Sequence, residues 1–224
     1  MIARLLAEAL GTFFLFATVM GAGIMADNLA GGNVAVALIG TTLPIGAILY
    51  VIIVMLGPVS GAHFNPVVTL VFRLRGEIES GAALAYVITQ VASGILAAFA
   101  VHLMFDLPIL QVADTPRTGI GQWAGEVVAT FGLILTILAT LRARPDAVPI
   151  SVALYIFAAC WFTSSTSFAN PAITIARSFT DTFTGIAPAD IPAFVIAQIA
   201  GALLAMGVAA VLFAGRGESA GEAA

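Results

Sequence analysis

The stretches SGAHFNPVVTL (60–70) and SFANPAITIA (167–176) decide how this chain folds. Each turns on an Asn-Pro pair, Asn65-Pro66 and Asn170-Pro171. Asn accepts hydrogen bonds from the first free N–H groups of a helix, and Pro suits the first turn, where its missing N–H is not needed. Both pairs therefore start helices. The apolar runs they open, 65–72 and 170–179, reach only about 12–15 Å at the α-helical rise, roughly half the hydrocarbon core of a bilayer.

Working outward, six longer apolar runs flank these short ones: 5–25, 34–56, 82–104, 123–141, 148–162 and 191–214. A membrane span needs about 20 such residues. The fifth run is short, and residues 163–165 are expected to extend it. Composition agrees with a lipid-facing surface: 61% of the 224 residues are hydrophobic, 9% are charged, and the mean hydropathy is +1.10. A soluble domain of this size needs far more charge at its surface. Lys is absent and the pI is near 4.9, which argues against nucleic acid as a partner. Cys160 is the single cysteine, so neither an intrachain disulfide nor a cysteine-based metal site is available. The opening run continues too far for a signal-peptide core and has no clear cleavage site, so it reads as the first span.

The two halves of the chain repeat. LLAEALGTFFL from Leu5 parallels WAGEVVATFGL from Trp123, pairing Glu8 with Glu126. The two Asn-Pro loops pair Asn65 with Asn170, and AYVITQVASGIL from Ala85 parallels AFVIAQIAGALL from Ala193, pairing Gln90 with Gln198. Each half holds three spans, an odd number, so the halves insert with opposite topology, and a permeation site is expected where they meet. Placing Arg4, Arg73, Arg75, Arg142, Arg144 and Arg216 in the cytoplasm leaves only Arg117 and Arg177 outside. That bias puts both termini in the cytoplasm. The expected organisation is a single domain over 1–215, with repeats of about 1–115 and 116–215 and a disordered tail over 216–224.

Inverted topology brings the two short helices in from opposite faces, so their positive N-terminal ends meet at the midplane. The amides of Asn65 and Asn170 can then donate to a passing oxygen, while a cation meets a barrier. Gly61, Ala62, His63 and Phe64, with Ser167, Phe168 and Ala169, are expected to be extended and to present a ladder of carbonyl acceptors. Non-helical backbone is tolerated at membrane depth only where protein buries it or a wet cavity receives it. Glu8 and Glu126 are expected to accept hydrogen bonds from the loop N–H groups, since an unpaired carboxylate inside a span is costly. Gln90 and Gln198 either hold loop backbone or bridge helices. His63 reads as a packed wall residue and His102 as interfacial. Arg177 and Asp181 have the spacing of a surface ion pair, with an electrostatic role in the vestibule as the alternative. Trp123 and Trp161 fit interfacial anchoring, and Ser93-Gly94 with Gly201-Ala202 fit close helix packing.

These residues resemble the paired signature loops of the major intrinsic proteins, the aquaporins and aquaglyceroporins, and the resemblance spans nearly the whole chain. It implies an all-α membrane protein, a right-handed bundle of six transmembrane helices with two re-entrant half-helices. It also implies a bacterial inner-membrane homotetramer with one pore per subunit, no cofactor or metal, and water and small neutral solutes as partners. Two positions depart from the family pattern. The first loop reads Asn65-Pro66-Val67, where the second keeps Asn170-Pro171-Ala172, and Ile173 stands where the family usually places a filter arginine. An ungapped alignment gives Ile45, Ala158, Ser167 and Ile173 as the filter; a gapped one moves the arginine to Arg177. An apolar filter favours glycerol-like polyols and neutral metalloid hydroxides such as arsenous acid, and the loop pattern resembles a bacterial branch associated with arsenic resistance. Competing readings are an ion-coupled secondary transporter and a water-selective channel.

Overall fold

The computed structural model describes residues 1–214 and is all-helical. The sequence-based expectation of a disordered tail, and Arg216 with it, lies outside the described residues. The eight α-helices are α1 (Ile2–Leu29), α2 (Val34–Ser60), α3 (Pro66–Leu74), α4 (Ser80–Met104), α5 (Ile120–Ala143), α6 (Val148–Phe162), α7 (Pro171–Ala176) and α8 (Ile191–Phe213). Among the described residues, six helices are long and apolar enough to cross a bilayer. The other two, α3 and α7, are the half-helices opened by the Asn-Pro pairs.

One boundary differs from the sequence reading. The fifth span is not extended by 163–165, because Thr163 takes extended backbone and Thr166 and Ser167 have positive φ. The length is made up at its start instead, by the 3-10 turn Pro145–Ala147.

Helix packing is paired across the two halves. The contacts α1·α2 and α1·α4 have counterparts in α5·α6 and α5·α8. Each half-helix also reaches across: α3 packs on α4 and α8, α7 packs on α8 and α4, and the two half-helices touch. Close approach depends on small residues. A Cβ on Gly201 would lie 2.4 Å from the Val127 carbonyl oxygen, and one on Gly94 would lie 2.4 Å from the Phe16 ring. The α5–α8 and α1–α4 crossings therefore leave no room for a side chain there.

Polarity is inverted relative to a water-soluble protein. Glu8, Thr12, Gln90, Glu126, Thr130 and Gln198 have no exposed surface, whereas Leu6, Leu84, Ile88, Ile196 and Leu204 are exposed on the outside. Trp123 and Trp161 are part-exposed near helix ends, as expected of anchors. His102 stands two residues before the end of α4 and faces protein rather than lipid. It is fully buried, with Nδ1 bonded to the Ile109 carbonyl (2.8 Å) and Nε2 to the Thr180 hydroxyl (2.9 Å). It thereby ties the end of α4 to two loops on the face away from both termini.

Candidate functional site

The site grows from the two caps. Asn65 Oδ1 accepts from the Val67 N–H at 3.0 Å, and Asn170 Oδ1 accepts from the N–H groups of Ala172 and Ile173 at 3.0 and 3.3 Å. Capping uses only the amide oxygen, which leaves each NH2 free to point elsewhere. Asn65 Nδ2 donates to the Ala169 carbonyl at 2.8 Å, and Asn170 Nδ2 donates to the Phe64 carbonyl at 2.9 Å. Each asparagine is thus fixed by its own half-helix and by the loop of the opposite half.

A buried carboxylate stands behind each loop. Glu8 accepts from Ser60 Oγ (2.7 Å), His63 N (3.0 Å), Phe64 N (2.8 Å) and Gln90 Nε2 (2.8 Å). Glu126 accepts from Phe168 N (2.9 Å), Ala169 N (2.9 Å) and Gln198 Nε2 (2.6 Å). Each glutamine makes a second bond, Gln90 to Thr69 Oγ1 (3.1 Å) and Gln198 to Thr174 Oγ1 (2.9 Å). Each threonine in turn donates to the carbonyl of its asparagine, Thr69 to Asn65 (3.1 Å) and Thr174 to Asn170 (2.9 Å). Two chains of the form Glu–Gln–Thr–Asn therefore run from helix to loop. Sequence reasoning missed the threonines, although both stand four residues after an aligned asparagine. It also missed Ser60, which donates to Glu8 and whose carbonyl accepts from Tyr86.

The loops are not uniformly extended. Ala62, Phe64, Ser167 and Ala169 have φ of 50°, 48°, 51° and 47°, a region L-residues enter at a cost. Alternate left-handed residues turn successive N–H groups toward one side, where a carboxylate collects them. Two carbonyls assigned to the ladder, those of Phe64 and Ala169, are also occupied by the asparagine amides.

A cavity runs along these loops. One wall is the loop backbone with Asn65, Ser167 and Asn170; the other is apolar, from Leu15, Val19, Ile45, Leu49, Leu133, Ile137, Val152 and Ile156. On α6 the cavity-facing residues are Val148, Val152, Ile156 and Cys160, four apart along one stripe. Ala158 is not among them. It lies two residues from the stripe, and so about half a turn away, on the opposite, exposed face of the helix. The last α6 residue of that cavity-lining stripe is Cys160. Ile45, Ser167 and Ile173 do line the cavity. Pro66, Val67, Pro171 and Ala172 do not line it; Val67 and Ala172 pack into the core beneath the asparagines.

Arg177 is not one of a surface pair with Asp181. Its side chain is buried, lines the same cavity as Ile173, and makes no salt bridge among the described residues. The α7 helix ends at Ala176 and the chain tightens into the 3-10 turn Arg177–Phe179, which turns the guanidinium inward over the Phe168 ring. Among the described residues no group of three His, Cys, Asp or Glu side chains could hold a metal ion.

Comparison with known proteins is consistent across sequence and structure. A family model described as major intrinsic protein matches residues 1–167, ending just before the second Asn-Pro pair. The chain is 56% identical over 203 residues to the aquaglyceroporin AqpS of Rhizobium meliloti, covering 91% of this chain and 87% of that protein. It is 28% identical over 170 residues to aquaporin Z of Photorhabdus laumondii, covering 69% and 73%. The fold matches the X-ray structure of the aquaglyceroporin from Plasmodium falciparum with a TM-score of 0.72 at 18% identity, over 95% of this chain and 97% of that one.

Proposed function

The chain belongs to the major intrinsic protein family, and from that premise we propose that its permeation path is the cavity on which Asn65 and Asn170 converge. The protein is a multi-pass membrane channel and not an enzyme; it passes water and small solutes such as glycerol down their gradients. The cross-bonding of the two asparagines carries the proposal. It holds two amide groups at one level of a cavity whose far wall is apolar, so a neutral hydroxylated solute finds donors there while a cation meets half-helix ends of the wrong sign.

The constriction on the side away from the termini comprises Ile45, Cys160, Ser167 and Ile173. Three of the four are apolar, and such a lining favours polyols and neutral metalloid hydroxides such as arsenous acid over water alone. The name of the Rhizobium meliloti relative supports permeants larger than water. Glu8, Gln90, Glu126 and Gln198 act as buttresses that keep the loops open without touching permeants. The channel domain occupies residues 1–215 as two inverted repeats. A bacterial inner-membrane setting with both termini cytoplasmic is supported by the arginine distribution, and a homotetramer by the family resemblance.

Stopped-flow light scattering of proteoliposomes against water, glycerol, urea and arsenous acid tests the reading. Faster osmotic relaxation with no response to an imposed proton or sodium gradient is expected. Uphill accumulation driven by either ion would overturn it.

A further inference from the structure

His102 bonds to the chain after α4 and to the chain after α7, both on the face away from the termini. Its Nδ1 stands 2.8 Å from the Ile109 carbonyl in the 105–119 loop, and its Nε2 stands 2.9 Å from the Thr180 hydroxyl. A carbonyl only accepts, so Nδ1 carries the hydrogen, and in that tautomer Nε2 accepts from Thr180. Thr180 has one hydroxyl hydrogen and uses it on Nε2, so its oxygen receives the Thr182 hydroxyl at 3.1 Å. His102 and Thr180 have no exposed surface. Among the described residues, His102 is the only side chain of a spanning helix that hydrogen-bonds to the segment 178–187.

The chain of bonds that starts at His102 leads to the cavity. The Thr182 carbonyl accepts from the Gly185 N–H at 2.8 Å and closes a turn over 182–185. Two carbonyls of that turn hold arginine side chains: Thr184 accepts from Arg177 Nε, and Gly185 accepts from Arg117 Nε at 2.7 Å. Arg177 lines the cavity together with Ser167 and Ile173. The turn has no slack. A Cβ on Gly185 would lie 2.6 Å from the Thr180 carbonyl oxygen, and one on Gly23 of α1 would lie 2.4 Å from Thr184 Cγ2. A shift of Thr180 is therefore passed to the turn, and from the turn to the cavity wall, because close-packed groups transmit displacement instead of absorbing it.

We propose that His102 is a positioning residue for the width of the path: through Thr180 and Thr182 it fixes the 182–185 turn, and the turn fixes the Arg177 side of the cavity. His102 itself does not line the cavity. Its two ring nitrogens join the end of a spanning helix to the loop that seats the wall. The bore on this face is thereby set from α4, which contributes no cavity-lining residue among the described residues. This rests on the channel function proposed above.

Erythritol is glycerol lengthened by a single CHOH unit, so the ratio of their permeabilities reads the width of the path. Vesicles of wild type, Thr180→Val, Thr180→Ser, His102→Leu and the His102→Leu/Thr180→Val double variant are compared at matched protein density. Thr180→Val keeps the bulk of threonine and loses the hydroxyl, whereas Thr180→Ser keeps the hydroxyl. Thr180→Val should raise the erythritol-to-glycerol ratio by about threefold or more, the scale on which mutations along a coupled network act. Thr180→Ser should keep the wild-type ratio. His102→Leu should raise it at least as far as Thr180→Val, and the double variant should not exceed His102→Leu. An unchanged or lowered ratio in Thr180→Val with glycerol flux retained overturns the proposal, as does an equal rise in Thr180→Ser. Additive effects in the double variant overturn the linkage of His102 to Thr180. If Thr180→Val or His102→Leu does not assemble, Thr182→Val, which cuts the same chain at a half-buried residue, takes its place with the same expectation. Wild-type vesicles that pass neither water nor glycerol would instead sink the channel function.

Discussion

Asn65 donates to the carbonyl of Ala169, the residue immediately before Asn170, and Asn170 returns the bond to Phe64, the residue immediately before Asn65. Each asparagine is therefore positioned by the approach to the other. Asn65→Asp tests this reciprocity, because a carboxylate cannot donate and would face the Ala169 carbonyl with like polarity. We expect a loss of about 1–3 kcal/mol in stability, read as a lower thermal midpoint in detergent, together with reduced glycerol flux. An unchanged midpoint would show that the cross-bond does not hold the loops.

Glu8 accepts four hydrogen bonds and Glu126 three, and two of each set come from backbone N–H groups of a loop. Glu8→Gln and Glu126→Gln each turn an NH2 toward existing donors, at about 1–3 kcal/mol per unsatisfied group. Both variants should lose thermal stability while keeping the wild-type order of permeants. A variant of normal stability with an altered order would mean that the carboxylate contacts solute.

Much of this arrangement was legible from residue order. The half-helices, the six spans and the paired Glu, Asn and Gln residues all follow from apolar run length and repetition. The filter was less legible, because α2, α6 and α8 are apolar all round and hydropathy does not mark the face that lines a cavity. Alignment to the family's filter positions therefore chose Ala158, whereas the stripe through Val152 and Ile156 reaches Cys160. The surface pairing of Arg177 was misread for a related reason, although the gapped alignment offered it as a filter residue. Helical spacing suggested a pair with Asp181, but α7 stops at Ala176, and helical spacing does not apply beyond it.

Cys160 offers a direct check on that stripe. Its side chain is buried and lines the cavity, so mercuric ion should slow osmotic relaxation in wild type and leave Cys160→Ser vesicles unaffected. Equal inhibition of both proteins would remove Cys160 from the constriction.

Ile173→Arg would add bulk and donors to the cavity that Ile173 lines. Glycerol permeability should fall by about tenfold or more while water permeability falls less. A proportional fall in both, or none, would mean that Ile173 does not set the width of the path.

Gly201→Ala tests the α5–α8 crossing, where the new methyl would lie 2.4 Å from the Val127 carbonyl oxygen and 3.0 Å from the Phe131 nitrogen. A cost of about 1–3 kcal/mol is expected from overpacking against backbone. Gly81→Ala, which meets nothing within 4 Å, serves as the matched control and should leave the thermal midpoint unchanged. Equal midpoints for the two variants would argue that the helices slide apart at little cost.

The packing of α3 on α8 and of α7 on α4 has a consequence for biogenesis. When the ribosome has delivered α1 to α4, the first half-helix still lacks α8, and the amide of Asn65 awaits an acceptor 104 residues downstream. The first re-entrant loop cannot reach its final geometry during its own insertion. It must wait, unlatched, for the last segment of the chain, so closing the second half and finishing the first are one late event.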